Sequence, residues 1–384
     1  MSKIPMIYFD NASTTPLLPE VISEMVEGLT HQYGNSSSLH QKGRAAKAEI
    51  ENTRKQIASF LKVDPMDLVF TSGASESNNL ILTSVVKAKK IKKVFSSPLE
   101  HKSVLDPLLD LEKNNKDLEL VWLKANKDGS LDLAPLSDHE PNSEVLVSLM
   151  HGNNEIGNFL DLEKVSEICQ QKGFFFHSDL TQSLGHSPLD LSQTPLDFFS
   201  FSAHKLHGPK AVGVAYLKNA FQYPPQILGG SQESGLRAGT PSGVNIRAMG
   251  KALALSFENS QENSQKRSKL KNYAIEKLQE NFEDIEFNGL SQNREKSLDT
   301  ILNVSLKGEF PMLAFQLDLE GICVSQGSAC SSGSVKRSKV IEILDDLHGR
   351  TEQTHTPLRI SFSHLNTLEE IDRFIDSLLK IVKS

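Results

Sequence analysis

Residues 197–213 read DFFSFSAHKLHGPKAVG. The apolar run at its start has the pattern of a buried strand, and it delivers a lysine set between two histidines, with a Gly-Pro break just beyond. An amine placed after such a run is partly desolvated, which lowers its pKa and makes the neutral, nucleophilic form available. Lys205 therefore reads as a chemical group and not as ordinary surface.

Outward from this stretch, short β-branched or aromatic runs recur: DLVFT (67–71), KKVFSS (92–97), LELVWL (118–123), EVLVSLM (144–150), GFFFHSD (173–179), LDFFSFSA (196–203) and VGVAYL (212–217). Helical patterns such as LEKVSEICQQKG (162–173) separate several of them. That alternation predicts an α/β domain with a mostly parallel sheet, in which ligands gather at the carboxyl ends of the strands.

A chain of 384 residues exceeds what one hydrophobic core usually supports, so a large domain with a smaller partner is expected. The formal net charge of −7, with 41 basic and 48 acidic side chains, argues against general binding to nucleic acid or a membrane surface. The start, MSKIPMIYFDNASTTP, has no apolar leader pattern, and no long window is apolar enough to span a bilayer, so a cytoplasmic protein is expected. Three cysteines, Cys169, Cys323 and Cys330, make no disulfide framework; Cys169 and Cys323 lie in apolar periodic segments and read as buried packing.

Beyond a polar stretch at 256–271, read as a solvated helix face or connector, the pattern restarts with TILNVSL (300–306), ICVSQG (322–327) and PLRISFS (357–363). The last segment predicts a helix in which Thr367 and Glu370 form a capping box and Leu368, Ile371, Phe374, Ile375, Leu378, Leu379 and Val382 share one face. These elements are expected to build a smaller α+β domain.

Polar residues follow five of the strand-like runs. TSGASES (71–77) is a small-residue turn into a helix, either an anion site made of free backbone N–H groups or a plain strand-to-helix turn. His101, in LEHKS, is a helix cap, a satisfied core histidine or a working group. Asp179 closes an apolar strand, where a carboxylate needs either N–H donors or a cation such as a protonated pyridine nitrogen. Asn154 and Gln182 are uninformative singly. Taken in order, an anion-binding turn, a histidine, an amide, a carboxylate with a nearby amide and Lys205 describe a pocket for a phosphorylated pyridine aldehyde held by an imine, which is pyridoxal phosphate.

Eight segments, YFDNASTTP, FTSGASESNNL, EHKSVLD, MHGNNEIG, HSDLTQS, SFSAHKLHGPKAVG, GLRAGT and GSACSSGS, resemble in order the signatures of the cysteine desulfurases, in the class V aminotransferase group of fold-type I pyridoxal phosphate enzymes. The resemblance runs from about residue 7 to the C-terminal helix. It implies a large domain over 16–255 with a mostly parallel central sheet, and a smaller α+β domain made of 1–15 with 256–384. It implies that Lys205 is joined to the cofactor, that Asp179 holds the pyridinium nitrogen, and that His101 stacks on the ring and carries a proton. Asn154 and Gln182 fall near the phenolic oxygen. Ala74, Ser75, Ser202 and His204 fall at the phosphate, with Thr240 reaching it from the second subunit of a homodimer. Arg359, with Asn154 and Asn35, would bind the substrate carboxylate, and Cys330 would be the nucleophile.

The reaction so implied converts L-cysteine to L-alanine and leaves a persulfide on Cys330. The sulfur then passes to an acceptor protein, an iron–sulfur scaffold or a tRNA-thiolation enzyme, with an iron–sulfur cluster held transiently at Cys330. A selenocysteine lyase, or another class V lyase or aminotransferase, is the alternative on the same fold. The sequence departs from the family at Ser75 for threonine, Ala203 for glycine and Ser234 for arginine.

Overall fold

The seven apolar runs pair into one sheet. The computed structural model describes residues 6–187, 189–329 and 335–383. After β1 (Ile7–Tyr8), α1 (Pro19–His31) and α2 (Gln41–Leu61) precede the sheet strands β2 (Leu68–Thr71), β3 (Lys93–Ser96), β4 (Glu119–Trp122), β5 (Val145–Ser148), β6 (Phe175–Asp179), β7 (Phe198–Ser202) and β8 (Gly213–Leu217). Their spatial order is β2-β8-β7-β6-β5-β3-β4, and β8 is antiparallel to both neighbours while the other pairs are parallel. The reversal has a local cause: Ser202 and Gly213 are register partners, and the ten residues between them are too few for a parallel crossover.

Helices cover both faces. On one, α3 (Ala74–Ala88) and α4 (Lys102–Asn114) bury Leu80, Ile81, Val85, Val104 and Leu108 against Val94, Leu146, Phe198 and Leu217. On the other, α2 and α7 (Gly243–Glu258) contribute Ile50, Ile57, Ile246 and Leu253, and α6 (Leu162–Lys172) adds Val165, against Val147, Phe176, Phe199 and Phe201. The short α5 (Ala134–Asp138) adds Leu136 to this face.

The polar stretch at 256–271 spans the end of α7 and the first half of α8 (Ser260–Asn281). Beyond it come β9 (Glu286–Phe287), β10 (Ile301–Lys307), α9 (Leu313–Leu319), β11 (Ile322–Cys323), the two-residue pair β12 (Ser328–Ala329) and β13 (Val335–Lys336), α10 (Lys339–His348), β14 (His355–Ser361) and α11 (Leu368–Val382). A second core joins Leu302, Val304, Leu358 and Ile360 of the antiparallel sheet β14-β10-β9 to α8 and α11. Ile7 and Phe9 belong to this core, with the Phe9 ring edge-on to Phe362 and Phe374. The capping box forms as predicted: Thr367 accepts from the Glu370 N–H and Glu370 accepts from the Thr367 N–H. Among the described residues no helix is long and apolar enough to cross a membrane.

One reading needs correction. Cys169 is buried, but Cys323 is only partly so, because β11 is two residues long and lies at an edge, with its Sγ 4.0 Å from Asp318 Oδ1. Burial and then the charges of Asp318 and Asp10 raise its pKa, so it stays a thiol.

The core also holds uncharged histidines. Burial pushes His151 and His177 down to about 4 and His186 to about 3, and His204 and His364 also lie near 4. The unfolded chain takes up these protons near pH 6.5, the folded chain only below about 4, so the unfolded state binds more protons in between and stability falls as pH drops through that window. Each fully buried ring costs on the order of 3 kcal/mol by pH 4. Glu100, Glu155 and Asp197, raised chiefly by burial, have the opposite slope, but they are three groups against seven histidines, since burial lowers His101 and His207 as well. The melting temperature is expected to decline steadily between pH 7 and 5; a flat profile there would contradict the buried, neutral state of these rings.

Candidate active site

The two-residue period of a strand decides which side chains meet here. Along β7, Phe199 and Phe201 enter the core beneath α2 and α7, while Phe198 enters the other core, so Ser200 and Ser202 face α3 with it. At the end of β6, Asp179 points to the same side, where its Oδ2 accepts from Asn78 Nδ2 of α3 at 2.7 Å and its Oδ1 accepts from the Thr181 N–H at 2.9 Å. Asp179 is 6% exposed, and N–H donors hold both of its carboxylate oxygens.

Lys205 ends a single 3-10 turn, Ala203–Lys205, that opens the β7–β8 connection. Its Nζ reaches back to the N-terminal segment and donates to the carbonyls of Ala12 (2.5 Å) and Ser13 (2.7 Å). Burial, with the Arg359 charge adding to it, lowers the amine to about 8 against the pull of Asp10 and Asp179. Ala203, the departure before the lysine, is fully buried, and a Cβ added at Gly208 would sit 3.0 Å from the Ala203 Cβ, so the turn is filled. His204 Nδ1 pairs with Thr14 Oγ1 at 3.2 Å.

The turn into α3 starts at Gly73, whose φ of +149° disfavours any side chain. Ala74 and Ser75 follow in the first helical turn, whose amides precede the first intrahelical acceptor. Glu76 accepts from the Ser72 N–H at 2.8 Å and pairs with Arg237 Nε at 2.8 Å, so its charge is already neutralised. His101 is the N-cap of α4: its Nδ1 accepts from the Ser103 N–H at 3.1 Å. The cap and the working-group readings are thus compatible.

Arg359, on β14, is 6% exposed and brings its guanidinium to the same place. Nη2 donates to Asp10 Oδ1 (3.0 Å) and Ser13 Oγ (2.8 Å), and Nη1 to the Asn154 carbonyl (2.9 Å) and Glu155 Oε1 (3.1 Å); Nε has no protein partner. Gln182 Nε2 donates to the Ala12 carbonyl at 2.9 Å, and Asn154 Nδ2 to Glu155 Oε1 at 3.3 Å.

Ala74, Ser75, His101, Asn154, Asp179, Gln182, Ser202, His204, Lys205 and Arg359 all line one cavity of about 680 Å³, a volume typical of a small-molecule site. Asn35 and Thr240 do not line it: both are exposed, and Asn35 Oδ1 accepts from the Ser37 N–H in a local turn. Cys330 lies outside the described residues. Reading by strand ends missed Asn78, Asp10, Glu155 and Thr181. All four sit inside the quoted segments, but only the meeting of distant elements pairs Asn78 with Asp179 and brings Asp10 and Glu155 to Arg359.

An α/β sheet covered by helices on both faces, with a lysine, an aspartate and an arginine in one cavity at its strand ends, defines an enzyme, and the chain belongs to the aminotransferase class-V family, whose model matches residues 7–374. Within it the chain is a member of the cysteine desulfurases. It is 35% identical over 379 residues to cysteine desulfurase IscS of Dictyoglomus turgidum, covering 98% of this chain and 94% of the relative. To cysteine desulfurase IscS of Klebsiella pneumoniae it is 37% identical over 391 residues, covering 99% and 93%. The crystal structure of a NifS-like protein from Rickettsia africae superposes with a TM-score of 0.86 at 30% identity, over 99% of this chain and 100% of that one.

This family depends on pyridoxal phosphate, and the residues present fit that group. A buried carboxylate, an amine with a lowered pKa and a small-residue helix N-terminus share one cavity, and the buried Thr181 Oγ1 lining it has no protein partner.

Proposed function

We propose that the chain converts L-cysteine to L-alanine and carries the released sulfur as a persulfide on Cys330. The observation that supports this most directly is the convergence of Lys205 and Arg359, an amine of lowered pKa and a buried guanidinium, beside Asp179 and His101. Lys205, Asp179, Gln182, Thr181 and the α3 N-terminus with Ser75, Ser202 and His204 would hold pyridoxal phosphate. When bound, that group draws off the negative charge that develops at the substrate α-carbon.

The chain's own residues do the rest. Arg359 binds the substrate carboxylate through charge-assisted hydrogen bonds and fixes the α-carbon near Lys205. Lys205 Nζ, partly neutral at pH 7, takes the α-proton. The Cys330 thiolate attacks the substrate sulfur: an S–S bond forms, the Cβ–S bond breaks, and its electron pair stays with Cβ. His101 delivers the proton that completes the alanine methyl group, and Lys205 returns the α-proton to the α-carbon before alanine leaves. The persulfide sulfur then passes to an acceptor thiol.

The reading includes a homodimer in which Thr240 of one copy approaches the phosphate site of the other, a cytoplasmic location, and an acceptor protein in iron–sulfur assembly or tRNA thiolation. It also divides the chain into 16–255 and 1–15 with 256–384; the packing of Ile7 and Phe9 into the C-terminal core supports that division.

The test is alanine and sulfide release from L-cysteine with a reducing thiol, alongside Cys330→Ala and with the cofactor's visible absorption recorded. Equimolar products from the wild type and none from the variant, both carrying cofactor, are expected. Full activity in Cys330→Ala would overturn the persulfide role.

A further inference from the structure

A buried polar chain runs from Asp179 to His101 through two side chains that contact neither a substrate nor a cofactor in the reading above. Asn78 is fully buried on α3, and Ser103 is 8% exposed in the first turn of α4. Asn78 Nδ2 donates to Asp179 Oδ2 at 2.7 Å and to Ser103 Oγ at 2.9 Å, while Asn78 Oδ1 accepts from Ser200 Oγ at 2.5 Å. Ser103 Oγ lies 2.8 Å from His101 Nδ1, and the Ser103 N–H points at the same nitrogen from 3.1 Å.

Following the protons along this chain leaves one arrangement. The Asp179 carboxylate only accepts, so the Asn78 atom facing it is the NH₂, and the amide carbonyl faces the Ser200 hydroxyl. The second Asn78 N–H occupies a lone pair of Ser103 Oγ, so the Ser103 hydroxyl hydrogen is free to point at His101. The Ser103 backbone N–H can only donate. His101 Nδ1 therefore receives two donors and carries no proton, and the ring hydrogen sits on Nε2.

We infer that Asn78 and Ser103 are positioning residues that hold His101 as the Nε2–H tautomer and tie its orientation to the buried Asp179 side chain. His101 then presents an N–H at its outer nitrogen, the form that delivers a proton, and it gains a proton at Nδ1 only by displacing both Ser103 donors. Partial burial, which lowers the His101 pKa, acts in the same direction. The inference rests on the proton-donor role given to His101 above, but its test does not.

The tautomer is read by nitrogen NMR of the protein labelled at histidine nitrogens, with and without pyridoxal phosphate, the His101 signals being assigned as those lost in His101→Gln. A non-protonated Nδ1 and a protonated Nε2 are expected in both. In Ser103→Ala, which keeps the backbone donor but loses the hydroxyl, Nδ1 protonation appears at higher pH than in the wild type, and alanine formation falls on the order of 10- to 100-fold in kcat with KM little changed. Ser103→Thr restores both. An Nδ1–H tautomer in the wild type, or an unchanged Ser103→Ala spectrum and titration, overturns the inference whatever the activity. The expected tautomer with full activity in His101→Gln would instead refute the proton-donor role and leave the positioning intact.

Discussion

Lys205→Ala is expected to abolish alanine formation from L-cysteine, by roughly 10⁴-fold or more, because it removes both the nucleophilic amine and the base at the α-carbon. The amine is suited to both tasks by its surroundings. Burial first and the Arg359 charge second bring it to about 8, so roughly a tenth is neutral at pH 7, against a few parts in ten thousand for a surface lysine near 10.4. Lys205→Arg separates charge from reactivity: a guanidinium keeps the positive charge but does not deprotonate, and it is expected to be as inactive as alanine. The same cause shows without turnover. Acetylation of Lys205 in the cofactor-free protein, followed by mass spectrometry, should reach half its limiting rate near pH 8. A midpoint above pH 10 would mean that burial does not lower this amine, and appreciable activity in Lys205→Arg would remove it from the chemistry.

Arg359→Ala should lower kcat/KM for L-cysteine by about 100-fold or more. Each hydrogen bond between charged partners contributes about 1.5–3 kcal/mol, and a substrate carboxylate makes two to a guanidinium fork. The cost is compounded by what remains, because Asp10 loses its cation beside the incoming carboxylate, and Glu155, already raised by burial, loses the guanidinium that lowers it. Arg359→Lys should fall between, since it keeps one charge but cannot serve Asp10, Glu155, Ser13 and the substrate together. Cofactor content, read from visible absorption, should change little in either variant. Steady-state kinetics that leave KM at the wild-type value in Arg359→Ala would show that the carboxylate binds elsewhere.

The sequence by itself determined the seven sheet strands, the capped final helix and the run of polar residues after successive strands. These are local facts: a strand's burial is written in its own alternation or apolar run, and a cap in a spacing of three residues. Lys205, Asp179 and His101 were legible for that reason, each standing at the end of its own element. The tertiary structure decided what each of them faces. Asp10, Glu155 and Arg359 are 349 and 204 residues apart in their pairings, and no spacing announces that one guanidinium serves both carboxylates. Asn78 lies on a helix face whose inward side is defined only once β6 and β7 are beneath it, and its role follows from Asp179, 101 residues away. Cys323 reads as core from its apolar neighbours, yet a two-residue edge strand leaves it partly open. The lowered pKa of Lys205 was predicted from the apolar run before it, but its second cause, Arg359, arrives from the other core. Electrostatics and burial act through space, so they are fixed by what folding brings together and not by what adjoins in the chain.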